Sequence, residues 1–300
     1  MHLTIAYMTN RRDCMVQWFR DSLRREIASY GEGLAIRTVM VDFFADDRKG
    51  QFGFDCHVTP KPTVWQGRHR LTSRDYFAAS NARNTAICLA PEGYIAFVDD
   101  LSVLMPGWLN AVRAAMSEGY IACGAYKKVL ELEVVNGEAV HFIQQASGVD
   151  SRWPIGSDTE PVRIGGGQMF GASVAGPVEA FLKVNGFDED CDSMGSEDYI
   201  CGLMLEAAGY KLMYDRRMFT LESEERHGLE TPFLRIIKKH PDDASWNILN
   251  RVRDGSRRRG YCSWLGGLGD LRNRVLAGEP FPNTGKPTND WRDGQPLSEM

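Results

Sequence analysis

No apolar run approaches the roughly 18 residues that a membrane-spanning helix requires, so no span is expected. Cysteine is unpatterned: seven residues, at 14, 56, 88, 123, 191, 201 and 262, with no Cys-x-x-Cys pair. An odd, scattered set argues against a disulfide framework or a zinc site and suits reduced thiols in a cytoplasmic setting. A basic excess is also missing. The net charge of −5 excludes wholesale coating of nucleic acid, although a local basic patch is compatible with it. The first residues, Met1 to Tyr7, carry neither a basic flank nor a cleavage site and read as a short strand rather than a signal peptide. What remains is ordinary for a globular chain: 300 residues, 43% hydrophobic and 25% charged, enough for one large domain or two small ones.

The chain is organised around Tyr94-Ile95-Ala96-Phe97-Val98-Asp99-Asp100. Its apolar run is too short for a helix and is bounded by Pro91, Gly93 and Pro106, which makes it a buried strand. Two acids at its end would sit at a sheet's rim, where open α/β folds bind ligands. Adjacent carboxylates repel each other, and a hard divalent metal is one way to compensate them; a solvated turn is the other reading.

Residues 3–8 read as a strand, 14–27 as a helix and 34–42 as a second strand ending in Asp42. Strand, helix, strand opens a doubly wound sheet. Asp42 either contacts a nucleobase or caps the following turn. Residues 43–75 read as irregular, and Lys61, Trp65, Arg68, His69 and Arg70 bring cations and an aromatic to that loop. A helix from Tyr76 to Leu89 carries Asn81-Ala82-Arg83-Asn84, with Arg83 either a fixed cation for a phosphate or an exposed helical side chain. After a helix to about Met116, strands are expected at 120–126, 130–135 and 139–145, the last two joined by the hairpin signal Asn136-Gly137. Gly165-Gly166-Gly167 either lets backbone approach a ligand or is a plain turn. A strand over 168–174, a short helix over 178–184, a helix opening at Ser196-Glu197-Asp198 and a strand over 210–214 complete the pattern. Acids in that first helical turn suit the helix dipole.

In this order the motifs resemble those of metal-dependent, inverting glycosyltransferases of the GT-A fold, of both the family-2 and the galactosyltransferase type. Thr9-Asn10-Arg11-Arg12-Asp13 looks like their first nucleotide-binding loop, Asn81-Ala82-Arg83-Asn84 like their Asn-x-Ala/Arg helix motif, and Phe97-Val98-Asp99-Asp100 like their Asp-x-Asp metal site. Asn185-Gly186-Phe187-Asp188, Gly195-Ser196-Glu197-Asp198 and Ala208-Gly209-Tyr210 are similar to the acceptor-side signature, and Glu225-Arg226-His227 falls where galactosyltransferases carry a metal-ligating histidine. Each motif alone is weak; all five in sequence are specific. Two departures stand out: the metal motif is Val98-Asp99-Asp100-Leu101, and Asp192-Ser193-Met194 replaces the aromatic that galactosyltransferases place before Gly-Glu-Asp.

The resemblance implies an α/β GT-A domain over 1–227, Rossmann-like with an open mixed sheet flanked by helices, and a mainly helical C-terminal extension with a polar tail over 228–300. It implies a nucleotide-sugar donor, a UDP-hexose, with Mn²⁺ or Mg²⁺ held by Asp100 and His227, and with Asp99 meeting the ribose or making a supporting contact. Thr9, Asn10, Arg11, Asp42, Arg83, Gly166 and Gly167 would contact the nucleotide. Asp198 would be the general base and Glu197 would hold the acceptor. The acceptor would be a saccharide or another small hydroxyl compound. Arg251, Arg253, Arg257, Arg258 and Arg259 lie within nine residues and form either a solvated helix end or a phosphate-tracking patch. The latter would fit a phage-type DNA glycosyltransferase acting on 5-hydroxymethylated pyrimidines; a non-catalytic nucleotide-sugar binding protein is a third reading.

Overall fold

The computed structural model describes residues 1–48, 50–62, 78–192, 195–227 and 245–282, with the side chains of His227 and Ser245 outside that set. Trp65, Arg68, His69 and Arg70 therefore lie outside the described residues.

The chain opens with β1 (His2–Thr9), α1 (Val16–Tyr30) and β2 (Ala35–Asp42), and β1 is buried along all but its first residue. Full burial suits a strand covered on both faces, as parallel strands are. The segment expected to be irregular contains a short helix, α2 (Ala45–Arg48), and an edge strand, β3 (Cys56–Val58). Every residue of α3 (Ala79–Leu89) is buried, and it leads to β4 (Tyr94–Asp99). Leu101 then turns through φ 60° into β5 (Ser102–Leu104), which is followed by α4 (Trp108–Glu118). The Glu26 carboxylate accepts hydrogen bonds from the backbone N–H groups of Gly107 and Leu109 and so caps α4 from α1.

The two strands expected at 120–126 and 130–135 are one, β6 (Ile121–Val135), and its hairpin partner β7 runs over Glu138–Val149. Next come β8 (Val162–Ile164), β9 (Ser173–Pro177), α5 (Val178–Lys183) and α6 (Glu197–Ala207). The strand expected over 168–174 begins only at Ser173. β10 (Leu212–Ser223) is far longer than its apolar start suggests, and α7 (Glu224–His227) follows it. The described part of the C-terminal region holds α8 (Ser245–Arg253) and α9 (Gly267–Leu276).

Among the described residues the strands form one sheet in the order β3-β2-β1-β4-β9-β6-β10-β5, with β7 beside β6 and β8 beside β10. β3, β2, β1 and β4 are mutually parallel, β9 is antiparallel to β4 and β6, and β6 and β10 are parallel again. The sheet is therefore mixed, and the carboxyl ends of β1, β2, β4, β6 and β10 point the same way. Ile248, Val252, Cys262, Leu268 and Leu271 of the C-terminal region join the same core as Ala82, Ala86 and Phe187.

Candidate active site

A cleft of about 460 Å³ opens where β1, β4 and β10 end. Thr9, Asn10, Arg11, Arg83, Asp99 and Asp100 line it together with Tyr126, Lys128, Phe170, Glu197, Asp198 and Glu222. Eight sequence-predicted residues are thus brought to one cavity. Asp42, Gly166 and Gly167 do not line it. The His227 side chain, the expected second metal ligand, lies outside the described residues.

Thr9 donates its hydroxyl hydrogen bond to Asp100 Oδ2 at 2.7 Å, and Arg11 Nε stands 3.2 Å from the same oxygen. Burial pushes the Asp100 carboxyl above the usual range and Arg11 opposes that shift. The Asp100 side chain is 10% exposed, whereas that of Asp99 is 40% exposed, so the first acid of the pair is the more open one.

Arg83 is 3% exposed, and its two terminal nitrogens are held by protein acceptors, while its buried Nε–H has no partner among the described residues. Its Nη1 donates to Glu197 Oε1 at 2.6 Å and its Nη2 to Asp99 Oδ1 at 3.1 Å and to the Gly171 carbonyl at 3.3 Å. The Phe187 ring lies 5.2 Å from the guanidinium carbon. Glu197, expected to hold an acceptor, is accordingly committed to Arg83; burial raises its carboxyl pKa and Arg83 opposes the rise. Asp198 keeps a face on the cleft. Its Oδ2 accepts the Gly171 N–H and its Oδ1 the Tyr199 N–H, each at 2.7 Å.

Asp42 is fully buried and serves the loop instead of a ligand. Its oxygens accept from Arg48 Nε and Nη2 at 2.7 and 2.8 Å, from the Phe44 N–H at 2.8 Å, and meet His57 Nε2 at 2.8 Å. Arg48 in turn donates to the carbonyls of Arg11 and Arg12. The acid therefore shapes the 9–13 loop through an arginine. Gly166 lies against α6, where an added Cβ would come within 2.3 Å of the Gly202 carbonyl oxygen, so that glycine serves helix packing.

The Asn185-Gly186-Phe187-Asp188 stretch, expected on the acceptor side, points into a knot. Asn185 donates to the Gly260 carbonyl at 2.8 Å and accepts the Leu268 N–H at 2.7 Å. Asn84 bonds both the Phe187 N–H and its carbonyl at 2.8 Å. Glu189 meets Lys61 Nζ at 2.6 Å and accepts the Ser263 N–H at 2.9 Å. Arg257 donates to Asp188 at 2.6 Å and to Asp190 at 3.0 Å. The arginine run is thereby divided: Arg257 is an internal ion pair, Arg253 donates to the Tyr199 hydroxyl at 2.7 Å, and Arg258 and Arg259 are exposed.

Sequence reasoning missed Glu222, Lys128, Tyr126 and Phe170. Glu222 is 4% exposed, lines the cleft, and its Oε1 has no hydrogen-bond partner among the described residues. Burial, reinforced by Asp99, pushes its carboxyl up to about 8. Its signal was present: Phe219-Thr220-Leu221-Glu222 is a strand closing on an acid, as Phe97-Val98-Asp99 is. Phe170 is held in the wall by buried Arg152, whose guanidinium carbon lies 4.4 Å from the Phe170 and Tyr214 ring centroids. Among the described residues no three His, Cys, Asp or Glu side chains stand ready-grouped to hold an ion, and no helix is long and apolar enough to cross a membrane.

No protein-family model matches the chain. It is similar to the validoxylamine A glucosyltransferases of Streptomyces hygroscopicus subsp. jinggangensis and subsp. limoneus, 26% identical over 209 residues in each case. That match covers 60% of this chain and 50% and 46% of theirs, so the chain spans about half the length of these curated relatives. Among solved structures it is similar to S. aureus TarS 1-349 in complex with UDP-GlcNAc, at TM-score 0.52 and 12% identity over 93% of this chain and 71% of that one. It is also similar to GalNAc-T7 with UDP, GalNAc and Mn²⁺, at TM-score 0.53 and 11% identity over 95% of this chain and 52% of that one. The fold is therefore the GT-A fold of glycosyltransferases, with a central open mixed sheet flanked by helices.

Proposed function

We propose that the chain is a glycosyltransferase that moves a sugar from a nucleotide-diphosphate donor, a UDP-sugar, to a hydroxyl of a saccharide or other small acceptor, inverting the anomeric centre. The observation that carries this reading is that Asp99, Asp100 and Asp198, from two distant parts of the chain, line one cleft. Bound UDP and UDP-sugars in the similar structures, and the glucosyltransferase names of the relatives, support the donor class.

The loop 9–13, shaped by Asp42 and Arg48, would take the nucleotide side, with Asn10 and Arg11 at its rim. The acceptor would lie between Asp198 and the Tyr126 and Phe170 side of the cleft. Its hydroxyl oxygen forms the new bond to the anomeric carbon, and its proton passes to Asp198. The anomeric C–O bond to the diphosphate breaks, and the electron pair leaves on a phosphate oxygen.

A divalent cation fits the residues present. Asp99, Asp100, Glu197, Asp198 and Glu222 face three cations, Arg11, Arg83 and Lys128, across the lining, and a diphosphate adds further negative charge. The unpartnered Oε1 of Glu222 is the buried acceptor such an ion would satisfy. Asp99, Asp100 and Glu222 would hold it, with His227 the further donor that the resemblance suggests. One or two carboxylates plus phosphate oxygens suffice for Mg²⁺ at such sites, so a preformed cluster is not required. When bound, the ion supplies Lewis-acid stabilisation of the departing diphosphate.

The test is a panel of nucleotide sugars with Mn²⁺, incubated with saccharide and cyclitol acceptors and read as released UDP and glycosylated product. Acceptor-dependent UDP release from at least one donor is the expected result. No turnover and no UDP binding across the panel would contradict the reading.

A further inference from the structure

We infer that Arg83, which the sequence offers as a phosphate ligand, is the positioning residue for the base Asp198, acting through the Gly171 peptide and Glu197. The inference rests on the transfer reading above.

Three observations carry it. The first is that both terminal nitrogens of Arg83 are already held by protein acceptors. Nη1 is on Glu197, Nη2 is shared by Asp99 and the Gly171 carbonyl, Nε is buried, and the Phe187 ring lies 5.2 Å from the guanidinium carbon. The second is that the backbone of Gly171 is bound through both of its polar groups. Its carbonyl accepts from Arg83, and its N–H donates to Asp198 Oδ2 at 2.7 Å. The third is that Glu197, the other acceptor of the guanidinium, is the residue immediately before Asp198 in the first turn of α6. Arg83 thus fixes both the backbone that carries Asp198 and the peptide that orients its carboxylate.

Gly171 is part of the same device. A Cβ there would lie 2.3 Å from Arg83 Nη2, so no side chain fits at that position while the brace is in place. A lysine at 83 would keep the charge but not the planar fork that reaches Glu197 and Gly171 together. Loss of the fork lets the carboxylate drift, and a displacement of about 1 Å at a reacting group can cost roughly 100-fold in rate.

The experiment compares the full chain with Arg83→Lys, Arg83→Ala and Gly171→Ala, measuring kcat, KM for donor and acceptor, UDP affinity by calorimetry, and Tm. The expected result is a kcat lower by about 100-fold in Arg83→Lys and Gly171→Ala, with UDP affinity unchanged. Millimolar guanidinium should restore kcat in folded Arg83→Ala, and ethylammonium should not. UDP affinity falling in step with kcat would overturn the inference and return Arg83 to the donor phosphates. A wild-type rate in Arg83→Lys, or a folded Arg83→Ala that guanidinium does not rescue, would overturn it as well. A wild-type chain that consumes no nucleotide sugar removes the transfer reading itself, an outcome recognisable because no variant then has a rate to lose.

Discussion

Thr9 and Asp100, 91 positions apart, share a 2.7 Å hydrogen bond that ties the end of β1 to the end of β4. It places the first loop of the chain against the acid pair, with Arg11 on the same carboxylate. Arg11 is the cation beside Asp100. A divalent ion and a diphosphate would compete for those two side chains and redistribute them.

Asp100→Ala should therefore weaken the Mn²⁺ enhancement of UDP binding by roughly tenfold or more, with the fold intact. Calorimetric titration of UDP with and without Mn²⁺ checks this. An enhancement equal to that of the unaltered chain would remove Asp100 from the metal set.

Glu222 gives a stability prediction with a definite sign. Burial pushes its carboxyl up from the ordinary 4.5 to about 8 in the folded chain. Between those values the unfolded chain releases a proton that the folded chain keeps, so Glu222 costs stability progressively as pH rises through that window. Glu222→Gln removes the cost. In the presence of a chelator its Tm should exceed that of the unaltered chain by more at pH 8 than at pH 5, about 2–4 °C for each kcal/mol relieved. A gain independent of pH would contradict the buried, neutral carboxyl.

The arginine run separates into structural and solvated members. The Arg257 side chain is 11% exposed and faces buried Asp188, whose carboxyl is pushed up to about 6 by burial against the pull of Arg257. Arg257→Ala leaves that acid without its cation and should cost about 3–5 kcal/mol in denaturant unfolding. Arg258→Ala and Arg259→Ala, at exposed positions, should stay within about 0.5 kcal/mol. Equal effects at all three positions would refute the knot that joins 257–268 to the Asn185–Asp190 stretch.

Asp42→Ala should act on the donor and not on the chemistry. Without it Arg48 loses the carboxylate that aims it at the Arg11 and Arg12 carbonyls. The KM for the donor should rise roughly tenfold with kcat nearly unchanged. A fall in kcat at unchanged KM would place Asp42 in the chemistry.

The elements that the sequence made legible are those whose apolar residues are continuous or helically spaced: β1, α1, β2, β4, α4 and α6. In the sequence β6 reads as two strands because Lys127 and Lys128 interrupt its apolar run. In the structure Lys127 Nζ lies 4.0 Å from the Trp153 ring centroid and Lys128 reaches the cleft. Asp215-Arg216-Arg217 hid the length of β10, since the register shifts there and the ion pair between Arg217 and Asp215 lies inside the strand. β3 and β5 are three residues each, too short for any period to show. At the site, the acids that end β2 and β4 were legible because a strand that closes on a carboxylate is a local pattern, whereas Glu222 was not, because the length of its strand was hidden. The partners of Asp42, Arg83 and Glu197 were not, because which buried charge meets which is decided by packing across the sheet.

The most direct test of the account is Asp198→Asn, which keeps the size of the side chain and removes its capacity to take a proton. The account predicts transfer reduced by about a thousandfold while UDP binding in Mn²⁺ stays at the level of the unaltered chain. Transfer at an undiminished rate would show that the reaction centre is not where Asp198 meets the cleft.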